Sequence, residues 1–114
     1  MVIAQGNKLH IITRRLFDSD LRRHFAGVVE EVSGTLIKIK GYVFVFDDSD
    51  NQFMRRDEER TRVFAISDSG LIINILPAEV DLSRLKYEID AQGHRILTDG
   101  RAFALNVTEF GTKI

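Results

Sequence analysis

His10, His24 and His94 are the only imidazoles in the chain. Imidazole is the commonest metal ligand and the side chain that exchanges a proton nearest neutral pH. A metal site usually shows in sequence as two such ligands at short spacing, His-x-His or His-x-x-x-His, so that both nitrogens project to one side of an element. No two of the three stand at such a spacing. They read as ordinary histidines near strand ends or turns, and no metal is expected.

The acidic stretch after residue 46 has more of the right chemistry. Asp48, Asp50 and Gln52 alternate as the first ligands of a calcium loop do, and Glu59 stands where the closing bidentate acid would. Such a loop needs glycine at its sixth position for the sharp bend, and Phe53 occupies it. Arg55 and Arg56 would add positive charge inside the cage. Asp, Ser and Asn are turn-forming residues, so 47–51 reads as a solvated hairpin turn with no calcium bound.

Nucleophilic and phosphate-binding patterns are missing. No serine lies in Gly-x-Ser-x-Gly, and Ser33-Gly34 and Ser69-Gly70 fit hairpin turns. The eight glycines form neither a Gly-x-Gly-x-x-Gly fingerprint nor a Walker loop. Glu30, Glu31, Glu58 and Glu59 fall in polar surroundings, unlike the apolar pocket that raises a catalytic carboxyl. Without cysteine, the chain has no disulfide, thiolate zinc site, iron–sulfur cluster or cysteine nucleophile. The expectation is a protein that is not an enzyme, with no catalytic residue and no cofactor.

Arg14-Arg15, Arg22-Arg23 and Arg55-Arg56 are the remaining charged constellation. Neighbours on a strand point to opposite faces, so each pair gives one guanidinium to a surface. Arg14, Arg22, Lys38 and Lys40, with Tyr42, would be the face of a nucleic-acid-binding β-barrel. Against this, 16 basic residues are balanced by 17 acidic ones, for a formal charge of −1, whereas nucleic-acid affinity rests on a positive excess.

The elements that must position these residues are short strands. Alternation marks strands over 8–17, 26–33, 35–46, 52–56, 60–67 and 71–76. Turn residues follow at 47–51 and 68–70, and Pro77 stops pairing after the sixth. Asp18-Ser19-Asp20 is a turn or helix cap, and Asp81 could cap one helical turn through Leu85. A hairpin over 86–90 and 95–98 and a last strand over 102–108 complete the chain. Gly41 interrupts the strongest strand, where a glycine often marks a bulge or sharp bend. This pattern predicts a mostly β fold, a small antiparallel β-barrel or two-layer β-sandwich of about eight strands with one or two short helical turns. The expected core includes Ile39, Val43, Val45, Phe64, Ile73 and Phe103.

A chain of 114 residues with 44% apolar side chains and eight phenylalanines can bury a core without a staple. It is read as a single domain over 1–114, with 1–7 a loose start. The first twelve residues hold no signal-peptide run, and the longest apolar stretch, 42–46, is far short of a bilayer span. A cytoplasmic location and no membrane partner follow as expectations.

After Gly41 the alternation of the main strand fails. Val43 and Val45 supply the inner face, yet Tyr42, Phe44 and Phe46 put aromatics on the outer one. A contiguous aromatic patch in water usually marks an interface. The functional expectation is therefore a non-catalytic interaction or assembly module, a homodimer joined through Tyr42, Phe44 and Phe46. A nucleic-acid-binding barrel and a small-ligand-binding or catalytic barrel are the alternatives; an unidentified protein partner is a further candidate, and the patch could instead be covered within the chain, by residues 20–25 or by a bend at Gly41 that brings both faces into a barrel.

Overall fold

The computed structural model describes residues 2–15, 17, 19, 22–101 and 103–108. These contain nine strands: β1 Lys8–Thr13, β2 Arg23–Ser33, β3 Leu36–Asp47, β4 Gln52–Arg55, β5 Arg60–Ala65, β6 Leu71–Leu76, β7 Lys86–Ile89, β8 Arg95–Thr98 and β9 Ala104–Asn106. A 3₁₀ turn, Leu82–Arg84, precedes β7. The Asp81 carboxylate caps it by accepting from the Ser83 amide at 3.1 Å and the Ser83 hydroxyl at 2.6 Å. The Asp18–Asp20 cap expected from sequence lies largely outside the described residues, and Phe25 belongs to β2.

The strands form two antiparallel sheets. The larger runs β4-β3-β2-β1-β6, with β5 also paired to β3. β4 and β5 share one side of β3: Phe44–Asp47 pairs with β4 and Leu36–Gly41 with β5. β6 pairs with β1 at the opposite end. The sheet does not close into a barrel, because β5 and β6, its two outer strands, do not pair. The smaller sheet is the meander β7-β8-β9.

Gly41 forms neither a bulge nor a break in the ladder. The register irregularity lies in β2 between Val29 and Glu31, while Gly41 pairs directly with Gly27. A Cβ on Gly41 would overlap the Ala26 carbonyl, and one on Gly27 would overlap the Lys40 carbonyl. Glycine is required there because the two strands approach more closely than a side chain allows.

Each face of the large sheet carries a core. One gathers Ile3, Leu9, Ile11, Phe25, Val29, Ile37, Ile39 and Val43. Phe25 pairs with Val43 and Phe64 with Ile37, so on a flat sheet they would stand two strands and six residues apart, roughly 20 Å. Their ring centroids nevertheless meet at 5.5 Å, so the sheet curls over this core. Ile3 seals it from the N-terminal segment, where the Gly6 amide donates to the Val29 carbonyl at 2.8 Å. Residues 3–7 are therefore held against the sheet. The opposite face packs against β7–β9 and buries Ala26, Phe44, Phe53, Leu76, Val80, Leu85, Tyr87, Leu97 and Val107. Of the six expected core residues, Ile39 and Val43 are buried. Val45, Phe64 and Ile73 are half-buried at the rim of the first core, and Phe103 at the rim of the second.

Candidate functional site

The Lys8–Thr13 strand places Leu9 and Ile11 in the first core, so period-2 geometry turns His10 to the other face. The β1–β2 ladder sets His10 opposite Ala26. His24 lies two residues from Ala26, so the imidazoles are diagonal neighbours with centroids 5.2 Å apart. Tyr87 comes from β7 and reaches between them. Its hydroxyl is 2.8 Å from His10 Nε2 and 2.5 Å from His24 Nδ1. The Asn74 amide on β6 donates to His10 Nδ1 at 3.3 Å.

This pattern assigns one proton order. His10 accepts at Nδ1 and so carries its hydrogen on Nε2, which donates to Tyr87. Tyr87 then donates to His24 Nδ1. His24 carries its hydrogen on Nε2, a buried atom with no hydrogen-bond partner among the described residues. Its ring stacks on Phe53 at 4.2 Å between centroids. Phe53 also lies against Tyr87 at 4.7 Å, and Phe44 meets the Tyr87 ring edge-on at 5.4 Å.

The chain is sealed. His10 is 0%, His24 1% and Tyr87 4% exposed. Burial removes the water that would solvate an imidazolium and pulls His10 down from 6.5 to about 3. His24 falls from 6.5 to about 2, first through burial and then through the charges of His10 and Arg95. Burial pushes the Tyr87 phenol well above its usual value. Both imidazoles and the phenol are thus neutral across the physiological range. His10 lies in the middle of β1, and His24, although near the start of β2 as expected, is buried with it and so is no ordinary strand-end histidine. The expectation failed because it lacked the register that joins β1 to β2. Only His94 fits it, at the 90–94 turn with Nδ1 3.6 Å from the Asp90 carboxylate.

Arg95 borders the site on β8. Its guanidinium lies 5.4 Å from the Phe46 ring centre and 5.5 Å from that of Phe53, and it donates to the Asn51 carbonyl at 3.4 Å and Gln52 Oε1 at 3.2 Å. Arg22 lies 4.5 Å from the Phe46 ring centre, and its charge joins burial in lowering Arg95 from its ordinary value.

Of the residues expected at an interface, Phe44 is buried in the second core, and Tyr42 and Phe46 are half-buried against it. Within the chain, Tyr87 of β7 meets Phe44 at 5.4 Å, Arg95 of β8 stands 5.4 Å from Phe46, and Arg55 stands 4.9 Å over Tyr42. The basic residues are not gathered. Arg22 meets β3 at Phe46, whose amide donates to its carbonyl, whereas Lys40 and Lys38 stand six and eight positions back along β3, about 20–26 Å away, and the Arg14 amide donates to the Gly70 carbonyl at the start of β6. Lys38 meets Glu31 at 3.3 Å and Lys40 meets Glu59 at 3.7 Å. The 47–51 segment is a turn in which Asp47 accepts from the Ser49 amide and hydroxyl.

A second feature is the β6 edge. Leu71–Leu76 holds no charged residue, and Ile72 and Ile75 are 39% and 50% exposed. The β4/β5 edge differs. It carries Arg55, Arg60 and Arg62 and is interrupted by the charged segment 56–59. Charges and irregularities protect an edge from adding strands, and β6 has neither. No helix among the described residues is long and apolar enough to cross a membrane. No protein-family model, curated protein or solved structure matches the chain.

Proposed function

We propose that this protein is a non-catalytic interaction and assembly module that binds by strand addition along β6, with a second copy of the chain as the partner. The observation that carries the reading is the β6 edge: six uncharged residues, paired among the described strands on one side only, with two isoleucines in water. An unprotected edge offers main-chain donors and acceptors to another strand. A two-fold axis perpendicular to the sheet keeps like faces together. Centred on Asn74, it sets Ile73 opposite Ile75 and Ile72 opposite Leu76 of the copy. The architecture is best read as a two-layer sandwich of a curled sheet and a small one.

The sealed chain supports the non-catalytic reading, because a group that touches no solvent reaches no substrate. The cleft of about 410 Å³ nearby is lined by Lys8, Lys40, Tyr42, Glu59, Asp81 and others, and not by the chain. Its cations are already engaged, Lys8 donating to the Ala78 and Val80 carbonyls at 2.6 Å and Lys40 meeting Glu59. Light scattering across micromolar concentrations tests the assembly. The expected result is twice the chain mass, reverting to the monomer in Ile75→Lys. A monomer at every concentration, or a dimer unmoved by Ile75→Lys, would overturn it.

A further inference from the structure

We propose that His10, His24 and Tyr87 form an acid-sensitive latch: proton uptake by the two imidazoles releases β7–β9 from the main sheet and uncovers the aromatic face of Tyr42, Phe44, Phe46 and Phe53. This does not depend on how β6 is used.

The geometry is a clasp. Two imidazoles from the large sheet hold one hydroxyl from the small sheet. Each imidazole has one bare nitrogen in the assigned proton order, and each is already an acceptor. A proton on His24 Nδ1 removes the acceptor for the Tyr87 hydroxyl. A proton on His10 Nδ1 sets two donors face to face with Asn74. Either event breaks a link of a buried chain.

The surroundings give an imidazolium no counter-charge. β3 and β4 present Phe44 and Phe53, β6 presents Asn74, and β7 presents Tyr87 itself. The charged group that acts on the pair from β8 is Arg95, and its sign is repulsive. No carboxylate among the described residues faces either ring. Once β7–β9 leave, both imidazoles reach water, so protons and the small sheet compete for the same two histidines.

Release is local because the first core holds only apolar residues, and acid has nothing there to act on. The small sheet has strands of four, four and three residues, too little to stay folded alone. Its rim bonds to the large sheet run from Gln52 to the Tyr87 carbonyl and from Arg95 to the Asn51 carbonyl and Gln52 Oε1. Asp99, buried beside β8, accepts from the Asp81, Arg101 and Phe103 amides and is the one other buried acid in this half.

Amide hydrogen exchange on the intact protein from about pH 7 to 4.5, corrected for intrinsic rates, tests the latch. Two imidazoles that protonate only after release make the release equilibrium shift about a hundredfold per pH unit below about pH 6. The expected result is loss of protection in β7–β9 while β1–β3 keep theirs. His24→Gln should reduce the dependence to about tenfold, which separates the histidines from Asp99. Imidazole NMR on the unmodified protein reads the same event directly, with both rings gaining protons only as β7–β9 lose protection. Rings that titrate with β7–β9 still protected, protection that persists at pH 4.5, or simultaneous loss in both sheets would overturn the proposal.

Discussion

The two faces of the large sheet solve the same problem in opposite ways. One core is apolar throughout, built from alternate residues of β1, β2 and β3 with Ile3 as its plug. The other closes the sheet against β7–β9 and encloses two imidazoles and a phenol among its rings. Among the described residues, the buried polar side chains, His10, His24, Thr98 and Asp99, all lie outside the apolar core, which therefore has no titrating side chain of its own. The mixed core satisfies all but one nitrogen of its buried histidines and holds them neutral. Burial of apolar area stabilises both, but only the second has stability that depends on which protons are bound.

The largest expected difference follows from that protonation. His10 and His24 have folded values of about 3 and about 2 against 6.5 for a free imidazole. A depressed histidine means the unfolded chain binds more protons, so stability falls as pH falls below 6.5 and continues to fall towards the folded values. Each group contributes about 1.4 kcal/mol per pH unit in that window. Between pH 7 and 4.5 the fully packed protein should lose about 5 kcal/mol, comparable to the whole stability of many domains of this size. Urea titrations at several pH values measure it. A midpoint that stays constant down to pH 4.5 would show that the imidazoles are hydrated or paired with an acid.

The apolar core should answer to volume instead. Ile39 is fully buried, and Ile39→Ala should cost about 2–5 kcal/mol at any pH. A denaturation curve overlaying the parent would remove Ile39 from the core, and a cost that grows at low pH would couple the two faces.

This core is also the part of the molecule that could be read from sequence. Each strand declares its inner face by itself, so Ile37, Ile39 and Val43 needed no partner to be placed. The hairpin of β7 and β8, the 47–51 turn and the Asp81 cap were legible for the same reason: the signal and the structure lie within a few residues. The mixed core was not. His10 and Tyr87 are separated by 77 residues and His24 and Tyr87 by 63, so no spacing rule joins them. The one local clue is a histidine set between Leu9 and Ile11 in an apolar strand. The same blindness to long-range packing hid the contacts of Phe44 with Tyr87 and of Phe46 with Arg95, both from the small sheet.

Tyr87→Phe probes the polar chain with the smallest change. The ring stays, so the edge contact with Phe44 and the packing on Phe53 remain. Only the hydroxyl is lost, and with it the acceptor for His10 Nε2 and the donor to His24 Nδ1. Two buried polar atoms join His24 Nε2 without a partner. Each such atom costs about 1–3 kcal/mol, but removing the buried hydroxyl also removes its own desolvation. The net loss should be about 1–3 kcal/mol, below that of Ile39→Ala. The pH dependence should survive, because burial and not the Tyr87 bond is the largest cause of the low imidazole values. Urea midpoints at pH 7 and pH 5 should therefore shift in parallel with the parent. A variant as stable as the parent would mean the hydroxyl contributes nothing net. One that flattens the pH dependence would mean water enters when the hydroxyl leaves, and that Tyr87 keeps the histidines dry.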